Sequence, residues 1–146
     1  MARSNVIFGL VEQLRLTSGF EQGNKGTAVA YDHRVLVQGV DRAAIVLADT
    51  FANQRLVIGG LTEITYSLSV HLFVRHNNDV VAARGDADLY ASNIIQRINN
   101  NPTLGGSAYT ALLTEGRVED EDLKIGGVHF LWESLTVTAK EHLVSA

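Results

Sequence analysis

The stretch LTEITYSLSVHLFVR, residues 61–75, decides the fold. Apolar side chains take every second position from Ile64 to Val74, and the positions between them are mainly polar, with Phe73 as an exception. A period of two places alternate side chains on opposite faces of a β-strand. The run is longer than the typical strand of about five or six residues. It predicts a long strand in a sheet with one buried face.

Two helices and further strands are predicted on either side of this strand. Residues 4–16 carry apolar side chains at spacings of three and four, and the same spacing recurs from Val80 to Ile98. Asn77-Asn78-Asp79 opens the second helix, and Asn99-Asn100-Asn101-Pro102 stops it. The remaining apolar segments predict strands at 28–38, 43–48, 55–58, 107–114 and 126–141.

The apolar residues of the last segment change faces half way along it. They take even positions from Val128 to Trp132 and odd positions from Leu135 to Ala139. Such a change is typical of a strand with one extra residue, so we predict a bulge near Glu133-Ser134. For Trp132 itself we favour a position in the core over an interface.

The predicted order of elements is α-β-β-β-β-α-β-β. It indicates an α+β fold, with a mainly antiparallel mixed sheet of about five to six strands and two helices packed on one face. A chain of 146 residues suits one domain. We expect that domain to span 1–146, with 17–27 and 115–124 as mobile interface loops, because both stretches are polar and rich in turn-forming or acidic residues.

Composition excludes several classes of protein. Lys and Arg total 12 against 16 Asp and Glu, a net charge of −4, which is unfavourable for general nucleic-acid binding. The absence of cysteine excludes disulfides, thiolate nucleophiles and cysteine-ligated metal centres. No apolar run approaches the ~20 residues of a membrane span, so we expect no membrane partner.

No motif indicates a catalytic, cofactor or metal site. The chain lacks a G-x-S-x-G elbow and a phosphate-binding loop, and its three glycine pairs fit turns. His71 and His76 are predicted on opposite faces of one strand, and His129 and His142 at opposite ends of another. The acidic run 119–122 lacks the ligand spacing of a calcium loop. We interpret it as a solvated loop, or as a contact for a basic partner.

The second half of the chain resembles a known family. Its marks are SLSVHLFVRHNND (67–79), a helix DADLYASNIIQRINNNPTLGG (86–106), a further strand with an acidic stretch, and GGVHFLWESLTVTAKE (126–141). QRLVIGGLTEITYSLSV (54–70) fits the same pattern of one strand leading into the next. Over roughly 42–142 this succession resembles the tail terminator (tail-completion) proteins of long-tailed bacteriophages. These proteins are α+β sheets with helices on one side.

The resemblance implies a structural role in the virion. Such proteins form a hexameric ring at the head-proximal end of the tail tube, end tube polymerisation and provide the head–tail joining surface. The implied partners are other copies of the chain, the tail tube protein and a head-completion or connector protein. It implies no cofactor, no catalysis and no sequence-specific nucleic acid, while DNA passes through the ring. The implied location is the neck of the virion, assembled in the host cytoplasm.

Ring closure needs two different patches on each subunit, and sheet edges and loops are natural sources of them. We therefore predict that the interface residues lie in the two polar stretches and on the second face of the long strand. They are Phe20, Glu21, Gln22, Asn24, Lys25, Phe73, Arg75, Glu119, Asp120, Glu121 and Asp122.

Two alternatives stay open. One is another neck component, such as a head-completion or head–tail joining protein. The other is a small oligomeric α+β enzyme or ligand-binding domain, whose site between subunits would use His71, Arg75 and Asp32 as polar groups. In such a site the Asp32-His33 dipeptide alone is weak support, since its simplest interpretation is a surface loop.

Overall fold

The computed structural model describes residues 3–21, 25–55, 60–106 and 108–144. The α-helices in these ranges are α1 (Arg3–Arg15) and α2 (Val80–Asn100). The strands are β1 (Gly26–Ala30), β2 (Arg42–Arg55), β3 (Leu61–His76), β4 (Thr110–Ile125) and β5 (Val128–Val144). Short 3₁₀ helices span His33–Val37 and Leu104–Gly106.

The strands form one mixed sheet in the order β1-β2-β3-β5-β4. β1 and β2 are parallel, and the other three neighbouring pairs are antiparallel. β3 lies in the middle and pairs with β5 from Leu61 opposite Val144 to His76 opposite His129. The predicted α+β fold, a mainly antiparallel mixed sheet with two helices, is confirmed, and the sheet has five strands.

Both helices pack on one face of the sheet and enclose the main core. The even positions of β3 from Tyr66 to Val74 are buried and belong to this core. Each fully buried leucine or isoleucine in it stabilises the fold by about 1.5–3 kcal/mol. The buried side of α2 follows the helical period, with alanines in its first part and isoleucines in its last part: Ala83, Ala87, Ala91, Ile94 and Ile98.

The ends of α2 follow from its sequence. Asp79 is the N-cap, and its side chain accepts a hydrogen bond from the Ala82 N–H at 3.1 Å. The helix ends at Asn100, just before Pro102, as predicted. No helix in the described ranges is long and apolar enough to cross a bilayer.

A second, smaller core covers part of the other face of the sheet. Phe73 of β3 and Phe130 of β5 are buried in it, and the 3₁₀ helix His33–Val37 covers them with Val35 and Leu36. Trp132 packs against this cluster while partly exposed, so it lies at the border of the core. At this end of the sheet both faces are therefore apolar.

This second core explains why the predicted bulge near Glu133-Ser134 is wrong. β5 pairs with β3 from His129 to Val144 without a register shift. Its even positions face the second core and its odd positions face the main core. The change of apolar positions along β5 reflects which face is covered at each end, and no residue is inserted.

Three predicted strand boundaries are also wrong. The segment 28–38 contains β1 and then a 3₁₀ helix, because the chain turns at Tyr31 with a positive φ of 61°. The segments 43–48 and 55–58 were predicted as separate strands, but β2 runs unbroken from Arg42 to Arg55, and 56–59 lie outside the described residues. The acidic stretch 115–124 is not a loop but part of β4.

β4 tolerates its acidic sequence because it is an edge strand. Its pairing with β5 shifts register three times, between Leu113 and Glu115, between Val118 and Asp120, and between Asp120 and Leu123. Each shift is an irregularity of the bulge type, which bends and twists an edge.

Candidate functional site

The second face of the sheet is rich in hydroxyl groups beyond the second core. Ser67 lies opposite Thr138, and Ser69 lies opposite Thr136, on the two central strands. With Thr65 and Ser134, they form what we call the hydroxyl face. The alternation of TEITYSLS (62–69) predicted the polar second face of β3, and SLTVT (134–138) continues that face on β5.

A shallow depression of about 340 Å³ lies on this face, where β3, β5 and β4 run side by side. Hydroxyls, one imidazole, two carboxylates and a guanidinium line it. The lining residues are Ser69, His71, Glu115, Gly116, Arg117, Glu119, Ser134 and Thr136.

Trp132 fixes the protonation pattern of His71. The indole Nε1–H donates to His71 Nδ1 at 2.9 Å. Because an indole N–H can only donate, Nδ1 accepts, and the neutral ring carries its proton on Nε2. Nε2 lies 3.0 Å from Ser69 Oγ and donates to it. The imidazole thus offers Ser69 a proton instead of a basic lone pair, which is the opposite of what a serine nucleophile needs.

Glu119 is held by two donors at the rim of the depression. Arg117 Nε donates to Glu119 Oε1 at 2.6 Å, and Ser134 Oγ donates to the same oxygen at 2.7 Å. These hydrogen bonds, that of Arg117 first, hold the pKa of the Glu119 carboxyl below its usual range. Glu119 therefore joins β4 to β5.

The other predicted acidic residues also contact neighbouring elements. Glu121 forms an ion pair with Arg84 of α2. Asp122 Oδ1 accepts from His129 Nδ1 of β5 at 2.6 Å, and this hydrogen bond lowers the pKa of Asp122. Asp120 is exposed and accepts from the Asp122 N–H at 3.0 Å. The carboxylates remain at the surface and at the edge of the sheet, but on a paired strand.

The carboxyl groups of this region are expected to titrate in a defined order. Glu133 is half-buried, and burial, followed by repulsion from Asp88, raises its pKa. Glu119 and Asp122 have lowered pKa values, so the stability they contribute is present above their unfolded-state pKa and is lost as pH falls through the folded one. A carboxyl-detected NMR titration should show Glu133 protonating first and Glu119 later. The reverse order would contradict the contacts described for Glu119.

The turn after α1 is anchored in the core. Phe20 is fully buried and meets the Tyr90 ring edge-on, with centroids 5.7 Å apart. Arg42 lies over the same ring and donates to the Gly19 carbonyl. The prediction of Phe20 as an interface residue is wrong, because its side chain fills the main core.

The other residues of the predicted loop 17–27 have different outcomes. Glu21 and Lys25 are exposed, in agreement with a surface position. Gln22 and Asn24 lie outside the described residues. β1 already begins at Gly26, so the loop is shorter than predicted.

The two interface residues predicted on β3 have different environments. Phe73 is 3% exposed, so its prediction as an interface residue is wrong. The cause is the second core, whose cover comes from a segment distant in sequence. Arg75 is exposed at the end of the same face, beside a cleft of about 520 Å³ that also includes Lys25, Asp41 and Asp79.

Asp32 and His71, which were considered for a small-molecule site, are each held by different neighbours. Asp32 caps the first 3₁₀ helix and pairs with Arg34, whereas His71 is held by Ser69 and Trp132. His76 lies on the opposite side of β3 from His71, as predicted, with its Nε2 3.1 Å from the Glu121 carbonyl. In the ranges that the structure describes, no group of three His, Asp or Glu side chains is arranged to hold a metal ion.

Comparison of this chain with protein-family models and with curated proteins finds no match. Function is therefore inferred from the order of the elements and the geometry of their surfaces.

Proposed function

We propose that this chain is the subunit of a six-membered ring at the head-proximal end of a bacteriophage tail tube. The ring ends tube polymerisation and provides the surface to which the head joins. One observation carries the proposal. The succession of elements by which the second half resembles tail terminators is present as β3, α2, β4 and β5, and its three strands are adjacent in one sheet.

The two sides of the sheet suit a closed ring. A ring needs heterologous contacts, in which one patch of a subunit meets a different patch of its neighbour. One outer side is β4, with a run of carboxylates from Glu119 to Asp122. The other side is the five-residue β1 and the part of β2 that extends past it. Their different chemistry and length favour contact between unlike sides.

The surface geometry supports a structural role over an enzymatic one. The lone pair of His71 Nδ1 is taken by Trp132, and Glu119 is held by Arg117 and Ser134. In this proposal the chain has no catalytic activity and needs no cofactor. Its partners are other copies of itself, the tail tube and a head-completion or connector protein in the neck of the virion. The strand-rich sheet with two helices favours this assignment over neck components that are mainly helical.

Light scattering tests the ring directly. Over a range of concentrations, the scattering mass of the chain alone should rise from 15.8 kDa toward six times that value, and preformed tail tubes should bind the chain as rings of the same size. Added to polymerising tube protein, the same chain should shorten the tubes. A dimer that does not change with concentration, or a chain that stays monomeric and leaves tube length unchanged, would overturn the proposal.

A further inference from the structure

We propose that neighbouring copies of this chain join their sheets by strand addition, with residues 110–113 of β4 in one copy pairing with residues 50–55 of β2 in the next. The inference rests on the proposed ring and names the two surfaces that close it. Main-chain hydrogen bonds across subunits would then hold the ring together.

The outer edge of β2 is only half covered. β1 pairs with Arg42 to Val46 and ends there. Tyr31 extends the covered part of this edge to Ala48. Its N–H donates to the Val46 carbonyl, and its hydroxyl accepts from the Ala48 N–H. A register shift between Ala48 and Thr50 leaves Asp49 out of the ladder; from Thr50 to Arg55, β2 pairs with β3 on its inner side, and no other strand in the described part of the chain pairs with its outer side. This edge is a preformed template for a further strand.

The outer edge of β4 differs along its length. Residues 110–114, TALLT, carry no charge, and Leu112 among them is 53% exposed. Beyond the first register shift, the stretch 115–122 is densely charged and contains two further shifts. Charges and bulges are the devices by which natural edge strands avoid pairing. From Thr110 to Leu113, β4 carries no charge and pairs with β5 without a register shift, so this is the part available for a partner strand.

The two available edges lie at the same level along the strand direction of the sheet. The register places Ala52 opposite Thr65, Thr65 opposite Lys140, and Lys140 opposite Thr110. Two residues further along, the row runs through Thr50, Ser67, Thr138 and Leu112. A neighbour placed beside the sheet by a rotation about an axis along the strands therefore brings one edge against the other.

The strand directions give this contact its pairing type. Successive strands from β2 through β3 and β5 to β4 are antiparallel, so β4 runs opposite to β2. Repetition of the subunit without inversion then sets β4 antiparallel to the neighbour's β2. Because the two edges belong to different strands, the contact is heterologous and can close a ring.

Charge supports the same arrangement at the other end of the sheet. There β1 covers β2, and the exposed Lys25 immediately precedes β1. The register places Glu121 and Asp122 in the bulge of β4 at this level, since Arg42 lies opposite Val74 and Val74 opposite Leu131. Because β1 occupies the position beside β2 at this level, the acidic half of the neighbour's β4 must bend outward at its register shifts and pass outside β1. There it meets the cationic side chain of Lys25, which favours the pairing of unlike edges.

Cysteine cross-linking tests the pairing, because the chain contains no cysteine of its own. A chain with both Thr50→Cys and Leu112→Cys should, on oxidation at ring-forming concentration, give a ladder of covalent oligomers up to the hexamer. Ala52→Cys with Thr110→Cys covers the adjacent row. As a matched control, Val81→Cys with Leu112→Cys should give no ladder, because Val81 is 84% exposed on α2. Disulfides form only where Cα atoms come within about 7 Å.

The possible results separate this inference from the proposed function. Hexamers by light scattering without a ladder from either edge pair would overturn strand addition and leave the ring. A ladder from the edge pairs in particles that are not hexamers would support strand addition and overturn the ring. Absence of both, also in the presence of tail tubes, would overturn both.

Discussion

The Phe73→Ala variant is expected to lose about 3–5 kcal/mol of unfolding free energy, the range for a buried phenylalanine truncated in a core. Phe73 is 3% exposed and lies between two other aromatic rings. Its ring stacks on Trp132 with centroids 5.9 Å apart and meets Phe130 edge-on at 6.4 Å. Truncation would leave a cavity under the 3₁₀ helix His33–Val37 and remove the support of the Trp132 indole.

Urea unfolding followed by fluorescence measures this effect, since Trp132 is the only tryptophan of the chain. Leu112→Ala is the matched control. It truncates a large apolar side chain on an edge strand, but one that is 53% exposed, so the expected change is within about 0.5 kcal/mol. If Phe73→Ala unfolds like the wild type and fails only in assembly, Phe73 is an interface residue and the second core does not support the fold.

The central strand and the second helix could be predicted because their signals are local. The alternation of apolar and polar residues in 61–75 requires only that one face of the strand is buried, and this pattern is visible in the sequence. The start of α2 needs only Asp79, whose side chain binds an N–H three residues later. Each of these features is complete within one short stretch of chain.

The second core could not be predicted because its parts are distant in sequence. Phe73, Phe130 and the 3₁₀ helix His33–Val37 meet only after the sheet has formed. A phenylalanine on a strand face that is otherwise polar looks the same in sequence whether a distant segment covers it or not. For the same reason the apolar positions of β5 were misinterpreted as a bulge, when each end of the strand has a different covered face.

The acidic stretch was predicted as a loop because its partners are also distant. Arg84 of α2 pairs with Glu121, and His129 of β5 pairs with Asp122. Sequence indicated that these carboxylates lie at the surface, and they do. It did not indicate that they lie on a strand, since edge strands accept charges that central strands exclude. The prediction that these carboxylates form an interface stays a prediction, and it now concerns an edge strand instead of a loop.

The Gly26→Ala variant is expected to lose about 3 kcal/mol, the upper end of the usual cost of overpacking, or to fail to fold. A Cβ at Gly26 would lie 1.9 Å from the Gly19 carbonyl oxygen, and its next neighbours are the Gly19 carbonyl carbon at 3.0 Å and the Arg42 side chain at 3.2 Å. Backbone cannot move aside as the end of a flexible side chain can, and overpacking of this kind strains the structure. The close approach closes the turn that carries Phe20 into the main core and sets the start of β1.

Gly85→Ala serves as the matched control, because a Cβ at that position of α2 meets nothing within 4 Å. Alanine replaces glycine inside a helix there, so stability should rise by about 0.5–1 kcal/mol. In thermal unfolding, the midpoint of Gly26→Ala should therefore lie below that of the wild type, and the midpoint of Gly85→Ala should lie above it. If Gly26→Ala is as stable as the wild type, the turn is looser than its contacts indicate. Lys25, which immediately precedes β1, would then lack a fixed position from which to meet the acidic edge of a neighbouring copy.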